Sequence, residues 1–136
     1  MTPHVSRRSV GAGLALLLAV AGLGGSACFT TASSRPYVDF VVSVAGETFV
    51  MRAQDAETIG LARENRAGRN GLFPIGPLRR GDGGFNAPWS WHFEPAEVRM
   101  TEAAIEVCDG RPSYVEGHLG DYPTYCPWGA RVVAER

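Results

Sequence analysis

The residues of this chain whose types could do chemistry are few: three cysteines, three histidines and a handful of carboxylates grouped late in the sequence. Cys108 and Cys126 bracket a stretch that opens with Pro112. Joined, they would close a loop and stabilise the fold by about 3 kcal/mol. Left reduced, either could act as a thiolate nucleophile with His92 or His118 as its base. The surrounding Pro123 and Pro127 are not those of a redox pair, which favours the bond. Glu106 and Asp109 are close enough in sequence to pair for acid/base work, and with His92 they would define a small hydrolase or metal-dependent enzyme. The competing role for both carboxylates is to accept from nearby loop amides or Arg side chains. Two His and a carboxylate could in principle hold zinc, yet no His pair has helical or hairpin spacing and no His-Glu-x-x-His occurs. We therefore expect no metal and no cofactor. There is no nucleophile elbow, phosphate loop or calcium loop. His92, between Trp91 and Phe93, reads as a hydrogen-bonded structural imidazole.

The aromatic residues suggest binding rather than turnover. Trp89, Trp91, Trp128, Tyr122 and Tyr125 are a dense set for so short a chain. Core packing accounts for part of them; the rest lie in loops containing Pro and Gly, where exposed rings anchor peptide or protein interfaces. The expected binding surface is Asn86, Trp89, Tyr125 and Trp128.

These residues must be positioned by one domain, because 136 residues leave no room for two cores. Residues 1–27 have the three parts of an export signal. Arg7 and Arg8 make a basic start, Gly11 to Leu23 an apolar run too short and too rich in Gly to span a membrane, and Gly24 to Ala27 a small-residue end. Ser6-Arg7-Arg8-Ser9-Val10 also resembles the twin-arginine export pattern, although Gly11 stands where a second strong hydrophobe is usual. Gly25-Ser26-Ala27-Cys28 resembles a lipoprotein processing box, which would make Cys28 the lipidated terminus; cleavage after Ala27 with a free thiol is the alternative. Lipidation would leave Cys108 and Cys126 as the one pair in an oxidising compartment. Residues 28–36 then form a tether, and 37–136 the folded domain.

Thirteen basic residues, all Arg, stand against 14 acidic ones, and two of the Arg belong to the leader. A mildly acidic domain has no electrostatic case for nucleic acid, nor for a membrane except through a lipid on Cys28.

Within the domain, Tyr37 to Val44 and Thr48 to Ala53 are rich in β-branched and aromatic residues and flank Ala45-Gly46-Glu47, which predicts a hairpin. Asp55 is placed to cap a helix carrying Ile59, Ala62 and Arg66 and ending at Gly68 to Gly71. Pro74 and Pro77 interrupt the apolar residues Leu72, Phe73, Ile75 and Leu78, predicting an edge strand or extended segment. A glycine-rich loop follows from Arg79 to Pro88. Trp89 to Phe93 and Glu97 to Thr101 alternate as strands do. Pro112 can open a short helix running to Gly120, and Val132 and Val133 suggest a terminal strand. The expected fold is α+β: a small, mostly antiparallel sheet with two short helices and one disulfide.

Three strings together carry a family resemblance: Phe85-Asn86-Ala87-Pro88-Trp89-Ser90-Trp91-His92-Phe93-Glu94-Pro95, Ala104-Ile105-Glu106-Val107-Cys108-Asp109-Gly110, and Cys126-Pro127-Trp128. From about Val38 to Val133 the chain resembles the N-terminal domain of cAMP-inducible prespore proteins, a family whose bacterial members are often labelled calmodulin-binding proteins. The resemblance implies a compact secreted domain in which both late Cys belong to the signature, and it brings no catalytic residues. Calmodulin targets are basic amphipathic helices, whereas the 55–66 segment mixes Asp55, Glu57 and Glu64 with Arg63 and Arg66. The function expected is a non-catalytic extracytoplasmic binding module with a protein or peptide partner, a secreted peptidase inhibitor being one specific form.

Overall fold

The computed structural model describes residues 36–104 and 106–136, without the Glu106 side chain. The leader, Cys28 and all but the last residue of the tether lie outside the described residues. Strand β1 (Val38–Val44) and β2 (Glu47–Ala53) form the hairpin that the β-branched pattern predicts. Val44 pairs with Glu47, so the turn consists of Ala45 and Gly46, both at positive φ (50° and 80°), the two-residue geometry that follows the strands' own twist. Phe40, Val42 and Val44 face the same core as Phe49, Met51 and Ala53. Asp55 caps α1 (Ala56–Arg66), its Oδ2 accepting from the Thr58 amide at 2.8 Å and the Thr58 hydroxyl at 2.9 Å.

The buried stripe of α1 is Thr58, Ala62 and Asn65, rotated from the one marked by Ile59, Ala62 and Arg66. Asn65 explains the rotation. Its Oδ1 accepts from Val132 N at 2.8 Å and its Nδ2 donates to Leu72 O at 2.7 Å, joining the helix to β7 (Arg131–Glu135) and to the approach of β3 (Phe73–Arg80). Arg66 stays exposed, 3.8 Å from Glu135. Strand β7 pairs with β1, giving a three-stranded antiparallel sheet in the order β2-β1-β7. Val41 and Val42 face Ala134 and Val132, so Val133 is a bulge and projects outward.

The second antiparallel sheet is built on β3, which corrects the edge-strand expectation. Strand β5 (Arg99–Thr101) pairs with Phe73 to Ile75, β4 (Trp91–Phe93) with Leu78 to Arg80, and β6 (Thr124–Tyr125) with Gly76 and Pro77. Pro74 and Pro77 fit a central position because no partner is longer than three residues, so the ladder is already made of short pieces. Pro77 still contributes its carbonyl, accepting from Glu94 N at 3.0 Å. Gly76 is required by closeness: a Cβ there would stand 3.0 Å from the Val98 Cα and 3.3 Å from the Phe93 ring.

The sheets meet through rings. Phe49 of β2 lies 5.5 Å from Trp91, 5.8 Å from Phe93 and 6.0 Å from Tyr125, centroid to centroid. Such tilted pairs add to the burial of large apolar area. The indole N–H of Trp91 has no hydrogen-bond partner among the described residues, which follows from seating the largest side chain in a layer of rings.

Candidate functional site

The disulfide is formed: Cys108 and Cys126 are bonded, with their Cα atoms 5.2 Å apart. Cys108 closes a 3-10 turn (Glu106–Cys108), and the bond encloses α2 (Pro112–Gly117) and a second 3-10 turn (Leu119–Asp121). Pro112 occupies the first turn of α2, as its missing N–H allows.

Hydrogen bonds fasten the same two segments together. Cys126 N donates to Cys108 O at 2.8 Å, the Tyr122 hydroxyl to Asp109 O at 2.8 Å and the Tyr125 hydroxyl to Gly110 O at 2.7 Å. Burial pushes both phenols above their ordinary pKa, Tyr125 most, so each remains a neutral donor. Asp109 Oδ1 accepts from Gly110 N and from Trp128 N, each at 2.8 Å. Trp128 is thereby held by its backbone while its ring leans on Phe73 at 6.4 Å and stays 41% exposed.

Around that ring lies an open, mostly apolar groove of about 380 Å³, lined by Gly71, Phe73, Glu102, Ala103, Ala104, Trp128 and Gly129. A second groove of about 330 Å³ is lined by Ile75, Val107, Cys108, Asp121, Pro123 and Thr124. Val107, 79% exposed, is the most exposed large apolar residue described. Of these residues the sequence singled out only Trp128 and Cys108 as binding or structural candidates. The others escaped because they come from five separate segments, and no local pattern marks Phe73, Ala103 or Pro123 as surface.

The expected aromatic surface is largely interior. Asn86 and Tyr125 are fully buried, so neither can meet a partner. Asn86 acts as a clamp: its Oδ1 accepts from Val50 N at 2.6 Å and its Nδ2 donates to Trp91 O at 2.6 Å. Trp89 is half-buried, stacked on Trp91 at 6.2 Å, with Nε1 donating to Thr48 O at 2.8 Å. Asn86 and Trp89 therefore cover the outer edge of β2, where free N–H and C=O groups would otherwise invite another strand. Arg52 adds to the closure. Paired with Asp39 at 2.7 Å, its guanidinium lies 3.9 Å from the Tyr37 ring centroid and 4.3 Å from that of Phe85. Trp128 alone of the four expected residues stands at an open groove.

The candidate catalytic residues are not brought together. His92 points away from the core on β4; its Nδ1 donates to Gly81 O at 2.6 Å and its ring meets Phe85 edge-on at 5.4 Å. Asp109 lies at the hydroxyl end of Tyr125, whose ring packs against Trp91 and Phe93, so the aromatic layer separates it from His92. The Glu106 side chain is outside the described residues. His118 Nδ1 donates to Tyr114 O at 2.8 Å. Among the described residues no three His, Cys, Asp or Glu side chains are grouped to hold a metal ion.

Compared with known families, residues 34–136 match the model of the prespore-protein N-terminal domain, described as the BP-74 N-terminal domain. The chain belongs to that family. The match covers every described residue, including both cysteines of the disulfide and the Trp128 groove, and it agrees with the resemblance carried by the three strings. Comparison with curated proteins and with solved structures gives no match. A disulfide is consistent with an extracytoplasmic location. Among the described residues no helix is long and apolar enough to cross a membrane.

Proposed function

We propose that this protein is an exported, non-catalytic binding module whose protein or peptide partner docks at the Trp128 groove. The observation that carries this reading is the setting of Trp128. A large ring is kept partly exposed over an apolar hollow while a disulfide and the Asp109 carboxylate fix the backbone beneath it. A ring fixed before binding loses little freedom when a partner arrives, which is how aromatic anchors contribute affinity. The engagement of His92 with Gly81 O, and of Asp109 with two loop amides, supports a structural role for both. Export rests on the leader at 1–27 and lipid anchoring on Cys28, with the disulfide in accord.

The test compares the mature protein with Trp128→Ala, both shown to melt alike, in titrations against a partner isolated from the medium or envelope of producing cells. Binding weakened by at least about 2 kcal/mol, the scale of an interface hot spot, is the expected result. Equal affinity of the two proteins would remove Trp128 from the interface. Intact mass of the mature protein decides between a diacyl addition at Cys28, cleavage with a free Cys28, and an uncleaved chain.

A further inference from the structure

The two grooves share a floor. Phe73 lines the first and Ile75 the second, and these are alternate residues of β3, on the same side of the strand and about 7 Å apart. That distance is also the spacing between side chains i and i+2 of any extended chain. Their walls are joined as well. Cys108 lines the second groove and is bonded to Cys126, two residues before Trp128 of the first, so the disulfide fixes one hollow relative to the other.

Their rims carry one sign of charge. Glu102 is the charged residue lining the first groove and Asp121 that lining the second. Both are exposed, and neither is in an ion pair with a described residue. The other exposed carboxylates near arginines behave differently: Glu94 and Glu97 meet Arg79, and Glu135 meets Arg63 and Arg66. An apolar pair of hollows with unpaired acids at both ends is complementary to an apolar segment flanked by cations.

Resting on the reading of a binding module, we propose that the two grooves form one site for an extended peptide segment. Two apolar side chains at positions i and i+2 fill the Trp128 hollow and the Val107 hollow, and Arg or Lys residues on either side face Glu102 and Asp121. The segment can be a free peptide or an extended loop of a protein, since both present the same alternating side chains. Strand-like recognition with pockets for alternate residues is an established mode of peptide binding.

The experiment pans the protein produced from the full chain against a library of short linear peptides randomised at every position. The expected pool carries apolar residues at i and i+2 with Arg or Lys next to them. Its consensus peptide loses at least about tenfold in affinity to Trp128→Ala. Glu102→Gln with Asp121→Asn lowers affinity for the basic-flanked peptide by about two- to fivefold, and added salt reproduces that loss in the parent. Enriched peptides that lack the alternation, that prefer acidic flanks, or that bind Trp128→Ala as well as the parent overturn the paired-groove proposal and leave the module standing. A library that yields no binder also overturns it. If, in addition, Trp128→Ala binds the isolated partner as the parent does, the module reading falls with it.

Discussion

Replacing Asn86 by Ala removes the one side chain that joins the glycine-rich loop to both sheets. Asn86 is fully buried, and its two side-chain bonds, to Val50 N and Trp91 O, are each 2.6 Å. Truncation leaves one N–H and one C=O without partners in a space no larger than the lost carboxamide. An unsatisfied buried group costs about 1–3 kcal/mol, so the pair predicts a loss of about 2–6 kcal/mol. That is a large part of the 5–15 kcal/mol typical of a domain. Urea unfolding followed by tryptophan fluorescence measures it as a lower midpoint with little change in slope. Asn86→Asp sharpens the argument. An ionised Asp keeps the acceptor for Val50 N but sets a carboxylate against the Trp91 carbonyl, whereas a protonated Asp can donate to that carbonyl. Burial raises the folded-state pKa of such an Asp, so its stability deficit against the parent is smallest in acid and widens as pH rises above about 4. A loss below about 1 kcal/mol for Asn86→Ala, or a pH-independent deficit for Asn86→Asp, would refute the clamp.

Three further outcomes follow from single features. Ala45 holds a left-handed backbone at φ 50° in the hairpin turn, so Ala45→Asn, the residue favoured there, is expected to stabilise by about 1 kcal/mol in thermal or urea unfolding. Replacing Cys108 and Cys126 together by Ser is expected to cost about 3 kcal/mol, measured by urea unfolding beside the oxidised parent; an unchanged midpoint would contradict it. Glu47 accepts from Ser113 N at 2.7 Å and Ser113 Oγ at 2.6 Å, and these bonds hold its carboxyl below the usual pKa. A lowered folded-state pKa means stability that is present above the ordinary carboxylate range and lost as pH falls through the folded value. Glu47→Gln should therefore flatten the acid limb of a melting-temperature profile, and an unaltered limb would show that the Ser113 contact does not couple to folding.

What could be read beforehand was what local chemistry fixes. The hairpin followed from β-branched residues on both sides of Ala45-Gly46, the start of α1 from Asp55, the start of α2 from Pro112, and the disulfide from an exported pair of cysteines. Tertiary context decided the rest. The prolines of β3 argued for an edge, and only the shortness of its three partners makes a central position possible. Asn86 and Tyr125 sit in loop-like sequence, yet each is drawn inward because its polar atoms complete a buried backbone group, Val50 N or Gly110 O. The Trp128 groove could not be read because Phe73, Ala103 and Gly129 become neighbours only after β3, the end of β5 and the chain after Cys126 converge. Trp128 itself was legible: its ring follows directly on the Cys126-Pro127 pair that holds it.

Site-specific photocrosslinking in producing cells tests the central claim most directly. A photoreactive residue replaces Trp128 in one variant and the bulged, equally exposed Val133 in another, and adducts are resolved by mass after irradiation. The account predicts a discrete protein or peptide adduct from position 128 and none of the same mass from 133. No adduct at 128, or the same adduct from both positions, would contradict a binding module that docks its partner at the Trp128 groove.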